Sequence, residues 1–447
     1  MRRVVILGAG GRDFHNFNMV YRDDPATEVV AFTAAQIPGI DHRAYPVSLA
    51  GPQYPEGIVI RPEADLPAII RDEQVDEVVL AYSDLSYDDV MHKASVALAG
   101  GADFRLLGPK TTMLHPSKPV VAVCGVRTGV GKSQTSRRVG RFLLDEGLRV
   151  ALVRHPMPYG DLARMRAQRF ATLEDIDASH PTIEEREEYE EPVRSGMIVY
   201  AGVDYGDVLH RAERDADVII WDGGNNDFSF FAPDLLITVT DALRPGHESA
   251  YYPGEANLRM ADIIVVNKVD SADDDAVARV VANAQHLNPR AQLVRAASPV
   301  TLDPGPSLVD ARVLVVEDGP TITHGGMPFG AGTVAARQAG ATQLVDPRPY
   351  AAGSIAETFA TYPHIGRVLP AMGYGDAQLA ELADTIRATP CDVVVAGTPI
   401  DLGRVVDAAH PIRRAKYELR ELGTPTLGGI LTPLARRWSE PRHDEGP

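Results

Sequence analysis

Short apolar runs alternate with amphipathic and polar segments along the whole chain. Each run is long enough to form one buried strand, and most are followed by glycine or acidic residues and then by a stretch with helical periodicity. Repeated alternation of this kind predicts an α/β protein built on parallel sheets. The predicted strands cover residues 4–7, 28–32, 76–81, 104–107, 120–124, 149–154, 217–221, 235–240, 261–266, 292–295, 312–316, 342–345, 392–396 and 412–422.

A proline-rich segment divides the chain. Residues 107–119, LGPKTTMLHPSKP, carry three prolines among turn residues and separate two stretches of alternating strands and helices. We therefore predict a first domain of residues 1–116 and a second of residues 117–305. An α/β portion of residues 306–438 follows, either separate from the second domain or continuous with it, and residues 439–447 are expected to form a flexible tail.

A glycine loop at residues 125–133 carries the clearest chemistry in the sequence. The run VVAVCGVRTGVGKS predicts a buried strand, a tight loop and a helix start, which would aim backbone N–H groups at a phosphate. Lys132 would reach the β- and γ-phosphates, and the Ser133 hydroxyl would hold Mg²⁺. The usual spacing has a further glycine where this chain has Val126, and the variant resembles the loop of dethiobiotin synthetase and the wider SIMIBI class of P-loop NTPases. The predicted nucleotide-binding residues of the loop are Gly125, Thr128, Gly129, Val130, Gly131, Lys132, Ser133 and Gln134.

Two further strand ends should lie beside this loop, because parallel strands present their carboxyl ends at one edge of a sheet. The strand 217–221 leads into Asp222, which fits the Walker B position and would bind Mg²⁺ together with Ser133. The strand 149–154 ends at Arg154 and His155, which either face the γ-phosphate or substrate or belong to an ordinary solvated loop. We predict Lys132, Asp222, Arg154 and His155 as catalytic residues.

A base-recognition sequence follows the next strand. Asn267, Lys268 and Asp270 form the NKxD pattern of GTPase-type P-loop proteins, one strand after a buried strand that ends at Asp241. The pattern can persist in relatives that use ATP, so ATP and GTP both remain candidate cofactors, with Mg²⁺. Ser298, at the end of the following strand, is expected to lie beside the base.

The first strand also ends in a glycine loop, GAGGRD, which is the opening of a Rossmann-like domain. The loop lacks the sixth-position glycine of the dinucleotide fingerprint, and no acidic residue follows the second strand, so NAD binding is disfavoured. Arg12, His15 and Asn16 at this loop either bind an anionic substrate or form an ordinary helix start with solvated polar residues.

The acidic segment and the C-terminal part contribute further candidates. Residues 181–192 predict a short charged helix, in which Glu185 or Glu188 could act as a metal or acid–base carboxylate or lie on a solvated face. The strand 312–316 leads to His324 and two glycines, a possible second anion site. Basic residues follow in this half, any of which could instead be solvated surface: Arg348, Arg404, Arg413, Arg414 and Lys416.

Composition limits the class of partner. The chain has 447 residues and a formal net charge of −17, which argues against non-specific binding to nucleic acid or an anionic membrane. The two cysteines lie in apolar runs and form neither a disulfide framework nor a metal site. The N-terminal apolar run is too short for a signal peptide, so a cytoplasmic location is expected.

Several motifs together resemble the cyclic 2,3-diphosphoglycerate synthetase family: GVRTGVGKSQTSR, VRHPMPYGDL, QRFATLEDID, WDGGNND, VNKVD, EDGPTITHGGM and TPIDL, which extend over nearly the whole chain. The resemblance implies an ATP- and Mg²⁺-dependent enzyme that cyclises 2,3-bisphosphoglycerate, or acts on a related small phosphorylated acid, and releases ADP and phosphate. Bidentate arginines suit such a polyanion. The residues expected to bind it are Arg12, His15, Asn16, His324 and Arg348.

Two other functions fit the same motifs. One is a SIMIBI regulatory or chaperone GTPase that recognises guanine through NKVD, and the other is an ATP-dependent ligase acting on a carboxylate. We expect the substrate in a cleft between two α/β domains, and we expect the protein to be a homodimer.

Overall fold

The computed structural model describes residues 1–35, 43–156, 160–224, 227–372, 376–398, 402–405 and 410–440. Over these ranges the protein is a mixed α/β fold whose main sheets are largely parallel, as the alternation of strands and helices predicted. None of the helices in these ranges combines the length and the apolar character needed to cross a membrane.

The first sheet has the N-terminal strand at its centre. Arg2–Leu7 pairs in parallel with Thr27–Ala34 on one side and with Glu77–Leu80 on the other. From this strand the chain first adds strands on one side of it and later adds strands on the other side. The loop after Leu7 therefore lies at a topological switch point. In spatial order the strands are Ala44–Tyr45, Ile58–Pro62, Thr27–Ala34, Arg2–Leu7, Glu77–Leu80 and Asp103–Leu106. The helical segments are Arg12–Asn16, Phe17–Tyr21, Val47–Ala50, Glu63–Asp65, Leu66–Asp72, Tyr87–Ala99 and Pro109–Thr112.

The central sheet is the largest, and its inner strands are apolar on both faces because helices cover both sides. Val120–Gly125 lies between Val218–Trp221 and Leu235–Asp241. In spatial order the strands are Gln168–Phe170, Ile198–Ala201, Val150–Arg154, Val218–Trp221, Val120–Gly125, Leu235–Asp241, Ile263–Asn267, Gln292–Ala297 and Arg420–Leu422. The helical segments are Lys132–Asp145, Leu173–Ala178, Ile183–Arg194, Tyr205–Asp215, His247–Ser249, Gly254–Met260 and Asp274–Leu287.

The third sheet is built from the C-terminal part. Its strands are Val300–Leu302, Ile412–Tyr417, Val393–Gly397, Arg312–Asp318 and Gln343–Leu344, with Leu369–Ala371 paired to Arg312–Asp318. Its helical segments are Gly319–Ile322, Ala331–Gln338, Arg348–Tyr350, Gly353–Thr361, Asp376–Ala388 and Leu402–Val405.

The chain returns from the third sheet to the central one near its end. The single strand predicted over residues 412–422 was wrong: Ile412–Tyr417 belongs to the third sheet and Arg420–Leu422 to the edge of the central sheet. Leu419, between the two, is buried in the central core, so the chain crosses from one sheet to the next at that point. The helix Leu427–Ser439 then packs its apolar face against the same core.

Short pairings hold the first sheet against the central one. Tyr251–Tyr252 pairs antiparallel with Leu85–Ser86. Leu114 bridges to Phe231, and the Asn18 amide donates to the carbonyl of Val203. These contacts bring the switch-point loop after Leu7 to the edge of the central sheet where Val120–Gly125 ends.

Candidate functional site

The glycine loop lies between a buried strand and a long helix. The strand Val120–Gly125 is buried throughout, and the helix Lys132–Asp145 begins directly after the loop. Gly131 adopts a φ of +104°, and a Cβ there would lie 2.2 Å from the Asn267 amide nitrogen. Because glycine at the N-cap offers no side chain to the first-turn N–H groups, they are left for a phosphate.

Three of the predicted catalytic residues meet beside the loop. Lys132 Nζ donates to Asp222 Oδ1 at 2.6 Å and to the carbonyl of Gly223. Arg154 donates from Nη1 to Asp222 Oδ2 at 2.6 Å, and its Nη2 lies 2.5 Å from Glu188 Oε1. The sequence left open whether Glu188 is a carboxylate of the site or lies on a solvated face. The structure places it in an ion pair with Arg154.

The charge of Asp222 is set by these neighbours. Burial works to raise the pKa of Asp222, but the positive charges of Arg154 and Lys132 outweigh it and hold that pKa below its usual value. The ionised carboxylate and the Ser133 hydroxyl are oxygen ligands of the kind that Mg²⁺ takes together with nucleotide phosphates. A phosphate entering the loop would compete with Asp222 for both cations. In the described ranges, this position included, no group of three or more His, Cys, Asp or Glu residues could hold a metal ion.

The NKVD sequence braces the glycine loop. The Asn267 amide donates to the carbonyl of Val130 at 2.8 Å, and Lys268 Nζ donates to the carbonyl of Gly129 at 2.7 Å. These bonds fix the loop whichever base the nucleotide carries. Because Asn267 and Lys268 bond the loop, Asp270 is the polar residue of the motif that is left to contact a base.

The predicted base-side residues lie together. Asp270 Oδ1 accepts from the Ser298 N–H at 3.0 Å, and Ser298 Oγ donates to Gln134 Oε1 at 3.3 Å. The Ser298 N–H therefore orients the Asp270 carboxylate at the rim of the loop.

Sequence reasoning left the loop after Asp241 unassigned, yet it supports the glycine loop directly. Lys268 Nζ and Arg244 Nε donate to Asp241 Oδ2 at 2.8 and 2.9 Å, and Arg244 Nη2 donates to the carbonyl of Thr128 at 2.8 Å. Burial works to raise the pKa of Asp241, but the charges of Lys268 and Arg244 hold it below its usual value. The available signal was an acidic residue at the end of a strand next to Val120–Gly125.

Loops from all three sheets meet at Arg127, a side chain of the glycine loop that was also missed. Its Nε donates to Asp84 Oδ1 at 2.6 Å, and its Nη2 donates to the carbonyl of His324 at 3.0 Å. Its guanidinium also lies 3.6 Å from the ring centre of Tyr251. Asp84 lies after a strand of the first sheet, and His324 lies after a strand of the third sheet. Arg127 therefore connects the glycine loop to the parts of the chain that form these two sheets.

The switch-point loop of the first sheet packs against the loop that follows Asp222. The Arg12 guanidinium lies 4.3 Å from the ring centre of Phe228, and its Nη2 donates to the carbonyl of Leu107 at 2.9 Å. A Cβ on Gly11 would lie 3.0 Å from His155 Nδ1. We call the polar residues buried at this contact the interdomain cluster: Arg12, Asn16, His155, Asp227 and Tyr252.

His155 links the cluster to the phosphate side. The Tyr205 hydroxyl lies 2.7 Å from His155 Nδ1, and His155 Nε2 lies 3.4 Å from Asp227 Oδ2. Its neighbour Arg154 donates to Asp222. At the end of the strand Val150–Arg154, Arg154 therefore contacts the residues beside the glycine loop and His155 contacts the interdomain cluster.

His15 supports this contact as a neutral side chain. Its ring stacks on Phe230 with centres 4.0 Å apart, and Nε2 donates to the carbonyl of Thr112 at 2.5 Å. Burial lowers the pKa of His15 to about 3. Without a charge at physiological pH, it positions the loop and does not supply a cation for an anionic substrate.

The other two predicted substrate residues lie apart from the cluster. His324 reaches the glycine loop through its carbonyl, while its Nδ1 lies 3.1 Å from the Tyr362 hydroxyl. Arg348 pairs with Asp346 at 3.1 Å and packs 5.0 Å from the ring centre of Phe359 in the third unit. The predictions for Asn225, Asn226 and residues 157–159, 399–401 and 441–447 fall outside the described residues.

Comparison with known families supports a nucleotide site. Residues 217–295 match the family described as CobW/HypB/UreG, nucleotide-binding domain. The matched segment contains Asp222, Asp241 and the NKVD sequence. This part of the chain is thus similar to the nucleotide-binding domain of P-loop NTPases.

Comparison with curated proteins finds two synthetases. The chain is 57% identical over 435 residues to the arginine synthetase ArcE of Thermococcus kodakarensis, with 97% of each chain covered. It is 23% identical over 215 residues to the cyclic 2,3-diphosphoglycerate synthetase of Pyrococcus furiosus, which covers 43% of this chain and 48% of that protein. The resemblance noted from the motifs is therefore distant and partial, whereas the similarity to the arginine synthetase is strong and spans the chain.

Among solved structures, the apo form of LpxK from Aquifex aeolicus in complex with ATP aligns with 79% of this chain and 96% of that one. The TM-score is 0.41 at 12% identity, a level of similarity that supports no argument about function.

Proposed function

Because the chain belongs to the family of the arginine synthetase of Thermococcus kodakarensis, we propose that it is a nucleotide-dependent synthetase that forms arginine. The observation that carries this proposal is the 57% identity over 97% of both chains. The meeting of Lys132, Arg154 and Asp222 at the glycine loop supplies the charges that phosphoryl transfer needs.

Arginine formation in one nucleotide-dependent step requires completion of its guanidino group. The precursor that needs a single new bond is citrulline, the ureido analogue of arginine, with ammonia as the nitrogen donor. The ureido oxygen attacks the γ-phosphorus of ATP, and ADP leaves. Ammonia then adds to the ureido carbon, the carbon–oxygen bond breaks, and inorganic phosphate leaves with the former ureido oxygen.

The residues of the site suit this step. Lys132 and the loop N–H groups would neutralise charge on the transferred phosphoryl group, and Arg154, held by Glu188, would approach it from the Asp222 side. Ser133 and Asp222 would hold Mg²⁺, which neutralises the phosphates when bound. ATP is the proposed nucleotide, and GTP is the alternative that Asp270 would select.

Phosphate release by the purified protein tests the proposal. We expect release with Mg²⁺ and ATP to rise when citrulline and ammonium are added together, with arginine formed in equal amount. Separate arms with GTP identify the nucleotide. If neither nucleotide is consumed faster with both additions, and no arginine forms, the proposal is wrong.

Cyclisation of 2,3-bisphosphoglycerate is the second candidate, favoured by the 23% identity that covers 43% of this chain. An arm with 2,3-bisphosphoglycerate replaces citrulline and ammonium in the same assay. Stimulated phosphate release together with a cyclic anhydride in the phosphorus NMR spectrum would favour this reaction over arginine formation.

A further inference from the structure

We infer that the interdomain cluster is the amino-acid subsite of this enzyme, with Arg12 binding the α-carboxylate and Asp227 binding the nitrogen-bearing end of the side chain. The identity of the ligand as arginine or its ureido analogue rests on the proposed function. The assignment of the two residues rests on the geometry of the cluster.

The cluster contains buried polar groups that the protein does not pair. Arg12, Asn16 and Asp227 are at most 8% exposed. Among the described residues, no hydrogen-bond partner meets Arg12 Nη1, either polar atom of the Asn16 amide, Asp227 Oδ1 or the Tyr252 hydroxyl. Leaving such groups unpaired is costly, so their concentration in one place indicates a ligand.

The cluster carries one positive and one negative side chain, Arg12 and Asp227, as a ligand with both charges requires. Phe228 directly follows Asp227 in sequence, and its ring lies against the Arg12 guanidinium. One guanidinium nitrogen is fixed on the Leu107 carbonyl, which leaves Nη1 to donate to a carboxylate. Asn16 lies four residues after Arg12, one turn along the same helical path, where its amide can contact the same ligand group.

The orientation follows from where each residue is attached. Arg12 belongs to the switch-point loop of the first sheet, at the position where such sheets bind ligands. Asp227 belongs to the loop that begins at Asp222, and it contacts His155, whose neighbour Arg154 holds Asp222. The carboxylate end of the ligand therefore lies toward the first sheet, and the end that reacts lies toward the phosphates.

The acids of the cluster also select against polyanions. Burial raises the pKa of Asp13, and the negative charge of nearby Asp227 raises it further, so two acids lie near one another at this contact. A ligand with one carboxylate and a cationic or neutral nitrogen end satisfies both signs of charge. A bisphosphorylated acid satisfies only Arg12.

Calorimetric titration with arginine and with agmatine, which is arginine without its carboxylate, tests the two assignments in the full chain with ADP and Mg²⁺ present. We expect Arg12→Met to weaken arginine binding on the order of a hundredfold and to leave agmatine binding unchanged, since only the carboxylate contact is lost. We expect Asp227→Asn to weaken both ligands. Arg71→Met, at an arginine side chain that is 72% exposed, is the matched control and should match the wild type.

Arg12→Lys keeps the charge but not the planar fork, and covers the case in which Arg12→Met does not fold. It should weaken arginine about tenfold while leaving agmatine and ADP binding unchanged. The inference is overturned if the wild type binds arginine and the Arg12 variants bind it equally well, or lose both ligands equally while remaining folded. If the wild type binds neither ligand and makes no arginine from citrulline, the proposed function fails instead.

Discussion

Two glycine loops in this protein share one local design and differ in their electrostatics. In both, a buried strand ends in glycines and a helix begins, at Gly8–Asp13 in the first sheet and at Gly125–Lys132 in the central sheet. The first loop carries its own anion: the Asp13 carboxylate accepts from the N–H groups of Gly10, Gly11 and Phe14 at 2.7–3.0 Å. The second loop offers no such carboxylate and places Lys132 at the helix start.

The difference is the reason for which we assign different ligands to the two loops. Backbone N–H groups that already bond a carboxylate of their own loop are not free for a phosphate, whereas the first turn of the helix that follows the second loop has no side-chain cap. What the first loop presents instead is the Arg12 side chain at its far end. A strand, a glycine loop and a helix therefore specify a binding position, and the residue at the first helical turn decides what is bound.

Loss of Lys132 should have the largest effect. Because Lys132→Ala removes the only side-chain cation of the loop that reaches Asp222 within the described residues, we expect kcat for nucleotide turnover to fall about 10²–10³-fold. Phosphate release measures this, and Lys110→Ala, at an exposed lysine outside the site, is the matched control. Turnover that survives in the Lys132 variant would contradict the phosphate-binding role of the second loop.

The carboxylate in the first loop should make stability depend on pH. Burial raises the pKa of Asp13 to about 6 from 3.8, so its contribution to stability is complete below pH 4 and is lost as the pH rises through 6. Asp13→Asn keeps an acceptor oxygen but does not titrate. As the pH rises from 4 to 7, the free energy of unfolding of the wild type should fall by about 3 kcal/mol relative to that of the variant.

Urea unfolding of both proteins at several pH values measures this difference. A constant difference across the range would mean that Asp13 is not the buried, titrating cap of the first loop.

Loosening the second loop should have a smaller effect. Asn267→Ala removes the donor to the buried Val130 carbonyl, a loss of about 1–3 kcal/mol in the stability of the loop conformation. We expect weaker binding of ATP and GTP alike, measured with fluorescent analogues. Asp270→Ala serves as the comparison, since it should affect GTP alone, and a base-selective loss in the Asn267 variant would contradict its bracing role.

The sequence predicted the second loop better than the first for a physical reason. The chemistry of phosphate binding predicts Lys132, Ser133 and Asp222 at set positions relative to strand ends, and the structure brings Lys132 and Asp222 together there. The strands and the sheet class were predicted from the alternation of apolar runs and helical segments, and the nucleotide site from the spacing of residues at the strand ends.

The interdomain cluster could not be predicted as a unit. Its members come from four separate segments of the chain, and only the folded structure places Asp227 and Tyr252 beside Arg12. The neutral state of His15 likewise depends on burial against Phe230 and Thr112, which a polar helix start does not reveal. Glu188 was recognised as a candidate, but its role required the position of Arg154.

The fate of one oxygen atom tests the central claim most directly. The protein is incubated with Mg²⁺, ATP, ammonium and citrulline carrying ¹⁸O in its ureido group, and the arginine and inorganic phosphate are analysed by mass spectrometry. The account predicts that arginine forms and that each released phosphate carries one ¹⁸O atom. Phosphate without the label, or ATP consumption without arginine, would contradict it.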